Sequence, residues 1–528
     1  MRTFGKTVMQ RYMRLWPVLL LSGCNSMPGV DLAPAYAPPE YVVPASWRGA
    51  SPFVEAKPSD AEIRTEWWRL FRDPVLDKLE EQAMAANADL QAAAERFLQA
   101  RDLMMKTRSH MLPQLNIGVD ASDNKESENA LFRGPLNPIY DTSVSDRAGA
   151  SWEPDFWYAI RNETRAKTYL AQQKAADYAL ARLSLQAEIA SDYFTLRGFD
   201  AQTNIYNQSI VYYRQSLDIV TQRYVGKIAS ELDVARAKSL LFSTEAKALE
   251  VQGEREVAEH AIAILVNTAP ASFKISLTSN LKMTPLKLPR SLPSTLLERR
   301  PDIASAEREM AQANREIGVA RAAFFPKVEF RIDGGFEDHG VNLVKLANSF
   351  WSYGSAVSLP VFDGGLRRAQ LQRSWSVYRE TEDKYRTTVL NAFREVEDGL
   401  SLTNRLSASA KKLDAAVAAA LQTQNLTMDL YKGGLNSSLD LIYAQVATLT
   451  ARIDSAQVKT RVLKSSVDLI RSLGGGWRRG RLPDEDDIQP FDAFQYEGLE
   501  KAAPAGGIEP PAENNARYNN LTSPSRSL

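Results

Sequence analysis

Few residues in this sequence are placed to do covalent or metal chemistry. His110, His260 and His339 stand in unrelated contexts and the chain has a single cysteine, so a His/Cys metal site is unsupported. Gly474, Gly475 and Gly476 precede Trp477 without the lysine of a phosphate-binding loop, and they read as a helix stop. Acid pairs such as Glu395 and Glu397 lie on helical sequence and read as solvated or tunnel-lining. No nucleophile–base set suggests an enzyme, and nothing calls for a cofactor. With 64 basic and 64 acidic residues there is no basic footprint for nucleic acid. The remaining groups of interest are two aspartates at two corners. YVGKIASELDVAR (224–236) and YKGGLNSSLDLIY (431–443) align Tyr224, Gly226, Ser230 and Asp233 with Tyr431, Gly433, Ser437 and Asp440, 207 positions later. A carboxylate just inside a helix stabilises the dipole after the turn. Anything more depends on the elements that carry it.

The N-terminus says where those elements work. Arg2, Lys6, Arg11 and Arg14 precede the short apolar core LWPVLLL (15–21), which is too short to span a bilayer, and then LSGC (21–24). That order resembles a bacterial lipobox, in which Cys24 is lipidated and becomes the mature N-terminus. Cleavage there would leave 60 basic against 64 acidic residues, a net charge of −4. Asn25 is not the aspartate associated with inner-membrane retention, which favours the outer membrane of a Gram-negative cell.

Self-similarity organises the rest. NADLQAAAERFLQARDLMMKTRSHMLPQL (87–115) matches RPDIASAEREMAQANREIGVARAAFFPKV (300–328) at an offset of 213. From Trp152 onward the offset is 207, so the first copy carries six extra residues between Pro113 and Trp152. Within each copy a helical pattern gives way to strict alternation after a proline, then to a very long helix, a glycine corner and a returning helix. The expected layout is a lipoprotein signal peptide (1–23), an extended lipid-anchored segment (24–72), a first repeat (73–266), a linker (267–293), a second repeat (294–473) and a C-terminal segment (474–528) whose end is expected to be disordered. The first repeat is a helix over 73–110, a β-hairpin at 113–153, a long helix at 160–224 and a helix at 231–266. The second is a helix, a hairpin at 326–360, a long helix at 366–431 and a helix at 438–472. A strand is expected around Phe273–Leu277 in the linker, and Asp146 is a mismatch in the alternation of its strand.

Strands of about ten residues with one apolar face can cross a membrane in a barrel, but four cannot close one, since the smallest such barrels use eight. More than one chain must then contribute. The rival reading is a soluble sheet packed on helices. Rods of some 65 residues, roughly 95 Å long, disfavour it, because no compact domain has a core of that length.

WWRLFRDPVLDKL (67–79), RRPDIASAEREMAQANREIGVARAAFFPKVEF (299–330), SLPVFDGGLRRA (358–369), YKGGLNSSLDLIYAQ (431–445) and LGGGW (473–477) together resemble the TolC-type outer membrane factors, in the lipoprotein branch of OprM and NodT-like proteins. The resemblance implies a homotrimer with a twelve-stranded β-barrel, four strands per chain, continued by a long periplasmic α-helical barrel. It implies docking to a periplasmic adaptor and an inner-membrane transporter of the RND class, and an exit duct for small molecules such as drugs. It also implies a periplasmic gate at the hairpin tips marked by Gly226, Gly433 and Gly434. Asp440, nine residues after Tyr431, takes the position of a gate aspartate; Tyr443 replaces a second aspartate found in some relatives, and Asp233 with Arg236 is a further participant. Three Asp440 carboxylates near one axis would favour cation entry. Type I protein secretion, oligosaccharide export and a non-channel adaptor-like lipoprotein remain the alternatives.

Overall fold

The structure, a computed structural model, describes residues 29–39, 65–125, 140–278, 293–340 and 345–484, with short pieces at 47, 53–54, 127, 288–289, 343 and 487–488. Cys24, the signal segment and most of the C-terminal segment lie outside the described residues. The strands are β1 (Phe53–Val54), β2 (Gln114–Lys125), β3 (Tyr140–Trp152), β4 (Leu288–Pro289), β5 (Lys327–Asp338) and β6 (Ser349–Ser358). The helices are α1 (Pro74–Ala86), α2 (Ala88–Ser109), α3 (Ala159–Val225), α4 (Glu231–Leu265), α5 (Pro293–Arg299), α6 (Pro301–Ala322), α7 (Leu366–Lys432) and α8 (Ser438–Ser472).

Strands β2, β3, β5 and β6 form one antiparallel sheet in that order, while β1 and β4 pair in parallel as a small separate clip. The registers put Ile117 opposite Ala148, Ala150 opposite Ile332, and Ile332 opposite Tyr353. One face therefore collects Leu115, Ile117, Val119, Phe330, Ile332, Trp351, Tyr353 and Val357, all exposed in the single chain. The other face carries Asn116, Asp120, Arg147, Glu329, Arg331, Asp333 and Glu337. A soluble sheet would bury that apolar face. Here Ile117 is 79 % exposed, as lipid contact requires.

The mismatch at Asp146 has a local cause. Its Oδ1 accepts the backbone N–H of Phe336 at 2.7 Å, directly across the ladder, so this carboxylate in the middle of the apolar face is hydrogen-bonded. Strands β2 and β3 reach into the expected 122–141 loop, to Lys125 and back to Tyr140.

The helices repeat the order of the strands. Near the sheet α2 packs on α3, α3 on α6 and α6 on α7; farther away α4 packs on α3, α3 on α8 and α8 on α7. Both layers are open ribbons in which the last two helices repeat the first two, α6 and α7 following α2 and α3 near the sheet, and α8 and α7 following α4 and α3 farther away. At 67 residues each, α3 and α7 are rods of about 100 Å. The main core is a band across their middle, where Trp67, Phe71, Phe97, Tyr193, Val396 and Leu469 meet, with thin apolar seams toward the far end.

Two helical expectations need correction. The helix expected over 73–110 is two helices broken at Asn87, whose Oδ1 caps α2 by accepting Leu90 N–H at 2.9 Å while its Nδ2 donates to the Leu265 carbonyl. An asparagine that can cap competes with helix continuation. The second copy breaks between α5 and α6 at Arg300, because a residue before proline avoids the helical region. Its guanidinium bonds Asp302, the Ser472 carbonyl and Glu395, so Glu395 is paired and not merely solvated.

The strand expected around Phe273–Leu277 does not form. Buried charges hold that segment instead. Asp200 Oδ2 accepts Arg197 at 2.8 Å, and its Oδ1 accepts Arg255 at 2.6 Å. Arg197 also donates to the Ser276 carbonyl, Arg255 to the Ile275 carbonyl, and Glu259 accepts Ile275 N–H. The network continues through Tyr193 to Asp73, the N-cap of α1. Side chains of α3 and α4 take the backbone bonds that a neighbouring strand would have made.

Residues 29–39 run along α6. Asp31 receives Asn162, Arg165 and Arg315, Tyr36 donates to Glu307, and Val30 N–H reaches the Phe156 carbonyl at the base of the sheet.

Candidate functional site at the helix tips

At the end remote from the sheet, α3 turns into α4 and α7 into α8. Both turns close in the same way. Lys227 N–H bonds the Tyr224 carbonyl and Ile228 N–H the Arg223 carbonyl; Gly434 N–H bonds Tyr431 and Leu435 N–H bonds Leu430. These paired bonds satisfy the last carbonyls of each rod and require one left-handed residue. That residue is not the first glycine of the corner. Gly226 and Gly433 sit at φ −73°, and the positive φ falls on Lys227 (57°) and Gly434 (78°). A Gly434→Ala substitution should therefore cost about 1 kcal/mol, whereas Gly433→Ala should not destabilise; thermal unfolding midpoints of the two variants test the assignment.

Each returning helix begins with the same reciprocal cap. Ser230 Oγ accepts Asp233 N–H while Asp233 accepts Ser230 N–H at 3.0 Å, and Ser437 and Asp440 do the same at 3.2 and 3.3 Å. Both aspartates are the third residue of their helix, where a carboxylate completes a capping box. Asp440 is solvent-exposed as well as capping, so the cap and a pore-lining role are compatible. Tyr443, one turn farther along α8, is 65 % exposed.

The two tips are not equivalent in what they do to each other. Asp233 Oδ1 accepts the Ser438 hydroxyl of the other hairpin, and this bond, with the Ser230 contacts, holds its carboxyl below the usual carboxylate range. Arg223 Nη1 donates to the Tyr431 carbonyl at 2.5 Å and its guanidinium lies 4.7 Å from the centre of the Tyr431 ring. Tyr431 is buried with Val220, Met428 and Leu441. The residue matching Arg223 in the second copy is Leu430, and the one matching Tyr431 in the first is Tyr224; both are partly exposed.

Sequence reasoning brought Asp233, Asp440, Tyr443, Gly226, Gly433 and Gly434 to this end of the molecule, and all lie there. It missed Arg223 and Ser438. The Ser-x-x-Asp spacing of both caps was a readable signal; the Arg223–Tyr431 contact, 208 positions apart, had none. Among the described residues no group of three or more His, Cys, Asp or Glu could hold a metal, and no helix is long and apolar enough to cross a membrane.

Residues 79–268 and 292–475 each match the outer membrane efflux protein family, one match per repeat. The toluene efflux pump outer membrane protein TtgF of Pseudomonas putida is 31% identical over 506 residues, 91% of this chain and 99% of that protein. The pyoverdine export outer membrane protein OpmQ of Pseudomonas aeruginosa is 28% identical over 473 residues, 88% and 97% of the two chains. The solved structure of the outer-membrane channel OprN superposes with a TM-score of 0.78 at 27% identity, covering 85% of this chain and 99% of that one. The fold class is that of these channels: a four-stranded share of a trimeric twelve-stranded β-barrel, continued by a long α-helical barrel. The chain belongs to the outer membrane efflux protein family, and it is the outer-membrane exit duct of a tripartite efflux system.

Proposed function

We propose that three copies assemble into one duct that passes small molecules, drugs among them, from an inner-membrane pump of the RND class and its periplasmic adaptor to the outside. The observation that carries this reading is the pair of open ribbons: among the described residues, a sheet with one exposed apolar side and two unpaired edges runs directly into a helical layer with two open edges. Unpaired amides and carbonyls in hydrocarbon cost several kcal/mol each, so the edges must meet other chains. The names of the relatives, a pyoverdine exporter and a toluene efflux component, support a small-molecule cargo over a protein or an oligosaccharide. Lipidation of Cys24 would seat an acyl anchor a few residues before Gly29, which packs against Tyr158 below the sheet.

The hairpin tips serve as the periplasmic gate in this proposal. Asp440 and Tyr443 line the constriction, Asp233 holds the two hairpins of one chain together, and Gly226, Gly433 and Gly434 shape the turns. A ring of Asp440 carboxylates draws cations and is neutralised by them. Single-channel recording in planar bilayers tests this. Asp440→Ala should raise conductance and weaken block by divalent cations. Asp440→Asn, which retains an acceptor for the cap, should do likewise with less loss of stability. Unchanged conductance and block in both variants would leave Asp440 as a helix cap alone.

A further inference from the structure

The internal duplication fixes more than the number of strands. Gln114 pairs with Ser151, while Lys327, 213 residues after Gln114, pairs with Ser358, 207 residues after Ser151. The offsets read from the sequence thus hold through both hairpins, with β5 standing for β2 and β6 for β3. The junction between the repeats, β3 against β5, joins the second strand of one hairpin to the first strand of the next. The only other junction of that type a closed wall can contain is β6 against β2 of a second copy.

From this we infer that β6 pairs antiparallel with β2 of a second copy in the register of the β3–β5 junction. Moving each partner by its own offset turns Ala150↔Ile332 into Val357↔Val119, Ala148↔Gly334 into Ser355↔Ala121, and Gly149↔Asp333 into Ala356↔Asp120. The inference rests on the closed-barrel reading above and adds which residue meets which.

Three features agree with this register. Val119 and Val357 both belong to the lipid-facing side, as the side-chain period of two demands; a slip of one residue would set an apolar row against a polar one. Asp333 stands across from Gly149 and its counterpart Asp120 across from Ala356, so in both junctions the acid faces a small residue. Asp146, the acid set across from Phe336, maps to Tyr353 across from Asp123, so acid and aromatic exchange strands while the pair persists.

Cysteine pairing in the full-length protein, in outer membranes, tests the register. Val119→Cys with Val357→Cys, and Ala121→Cys with Ser355→Cys, should each oxidise to chains linked up to the trimer on denaturing, non-reducing gels. Val119→Cys with Ser355→Cys, or with Leu359→Cys, should stay unlinked, because diagonal positions lie about 7–8 Å apart, beyond the usual reach of a disulfide. Linkage in a shifted pair, without linkage in the two in-register pairs, overturns the register but leaves barrel closure between copies standing. No linkage in any pair overturns the register too. Native mass in detergent then separates the causes: a trimer means another register, and single chains mean that the closed barrel itself fails.

Discussion

Asp200→Ala should lower the stability of the folded chain by about 3–5 kcal/mol, the cost of leaving a buried charge without its partner. The Asp200 carboxylate is fully buried and is the common acceptor for Arg197 and Arg255, which are themselves almost wholly buried. Those two guanidinium groups hold the Ser276 and Ile275 carbonyls, and Thr278 N–H reaches Asp200 directly. Removing the acid leaves Arg197 without its carboxylate and Arg255 with Glu259 alone, both buried, and releases the segment that follows the first repeat. The expected readout is a large fall in the temperature at which the purified protein loses helical circular dichroism and heat-resistant assembly in detergent. Lys247→Ala, which removes an exposed ion pair with Glu250, should leave both unchanged. An equal effect of the two substitutions would show that the buried network does not stabilise the fold.

Neighbouring residues on β2 should respond in opposite ways to the same charge. Val119→Arg places a cation on the lipid-facing side near the middle of the strand, at a cost of about 2–4 kcal/mol per chain. Heat-resistant assembly in the outer membrane should then be largely lost. Asp120→Arg, one position on and directed to the other face, should assemble normally and move ion selectivity toward anions. The measurements are the fraction of protein running as an assembly on unboiled gels and the reversal potential across a salt gradient. Normal assembly of Val119→Arg would remove the assignment of that face to lipid.

Much of this architecture could be read from spacing alone, because its parts are periodic and repeated. The switch from helical to alternating pattern at Pro113 precedes β2 by one residue, and that at Pro326 precedes β5 by one. The six extra residues of the first copy fall in the β2–β3 loop, since the paired strands keep their offsets throughout. The failures were of two kinds. Asn87 and Arg300 interrupt helices in stretches whose neighbours are good helix formers, and a single capping or pre-proline residue outweighed the pattern. Residues 273–278 have the apolar spacing of a strand, yet they are held by buried side chains from two helices, which no local pattern records. At the tips the capping aspartates were legible and the contacts between hairpins were not. Arg223 and Ser438 act on partners more than two hundred positions away.

The bonds that tie Arg223 to Tyr431 and Asp233 to Ser438 have a mechanical consequence for the proposed trimer. They rivet both hairpins of a chain into one leaf, while the matching positions facing outward, Leu430 and Tyr224, offer no such rivet. The narrow end would then work as a shutter of three broad leaves, not six slender ones, and would part along the seams between subunits.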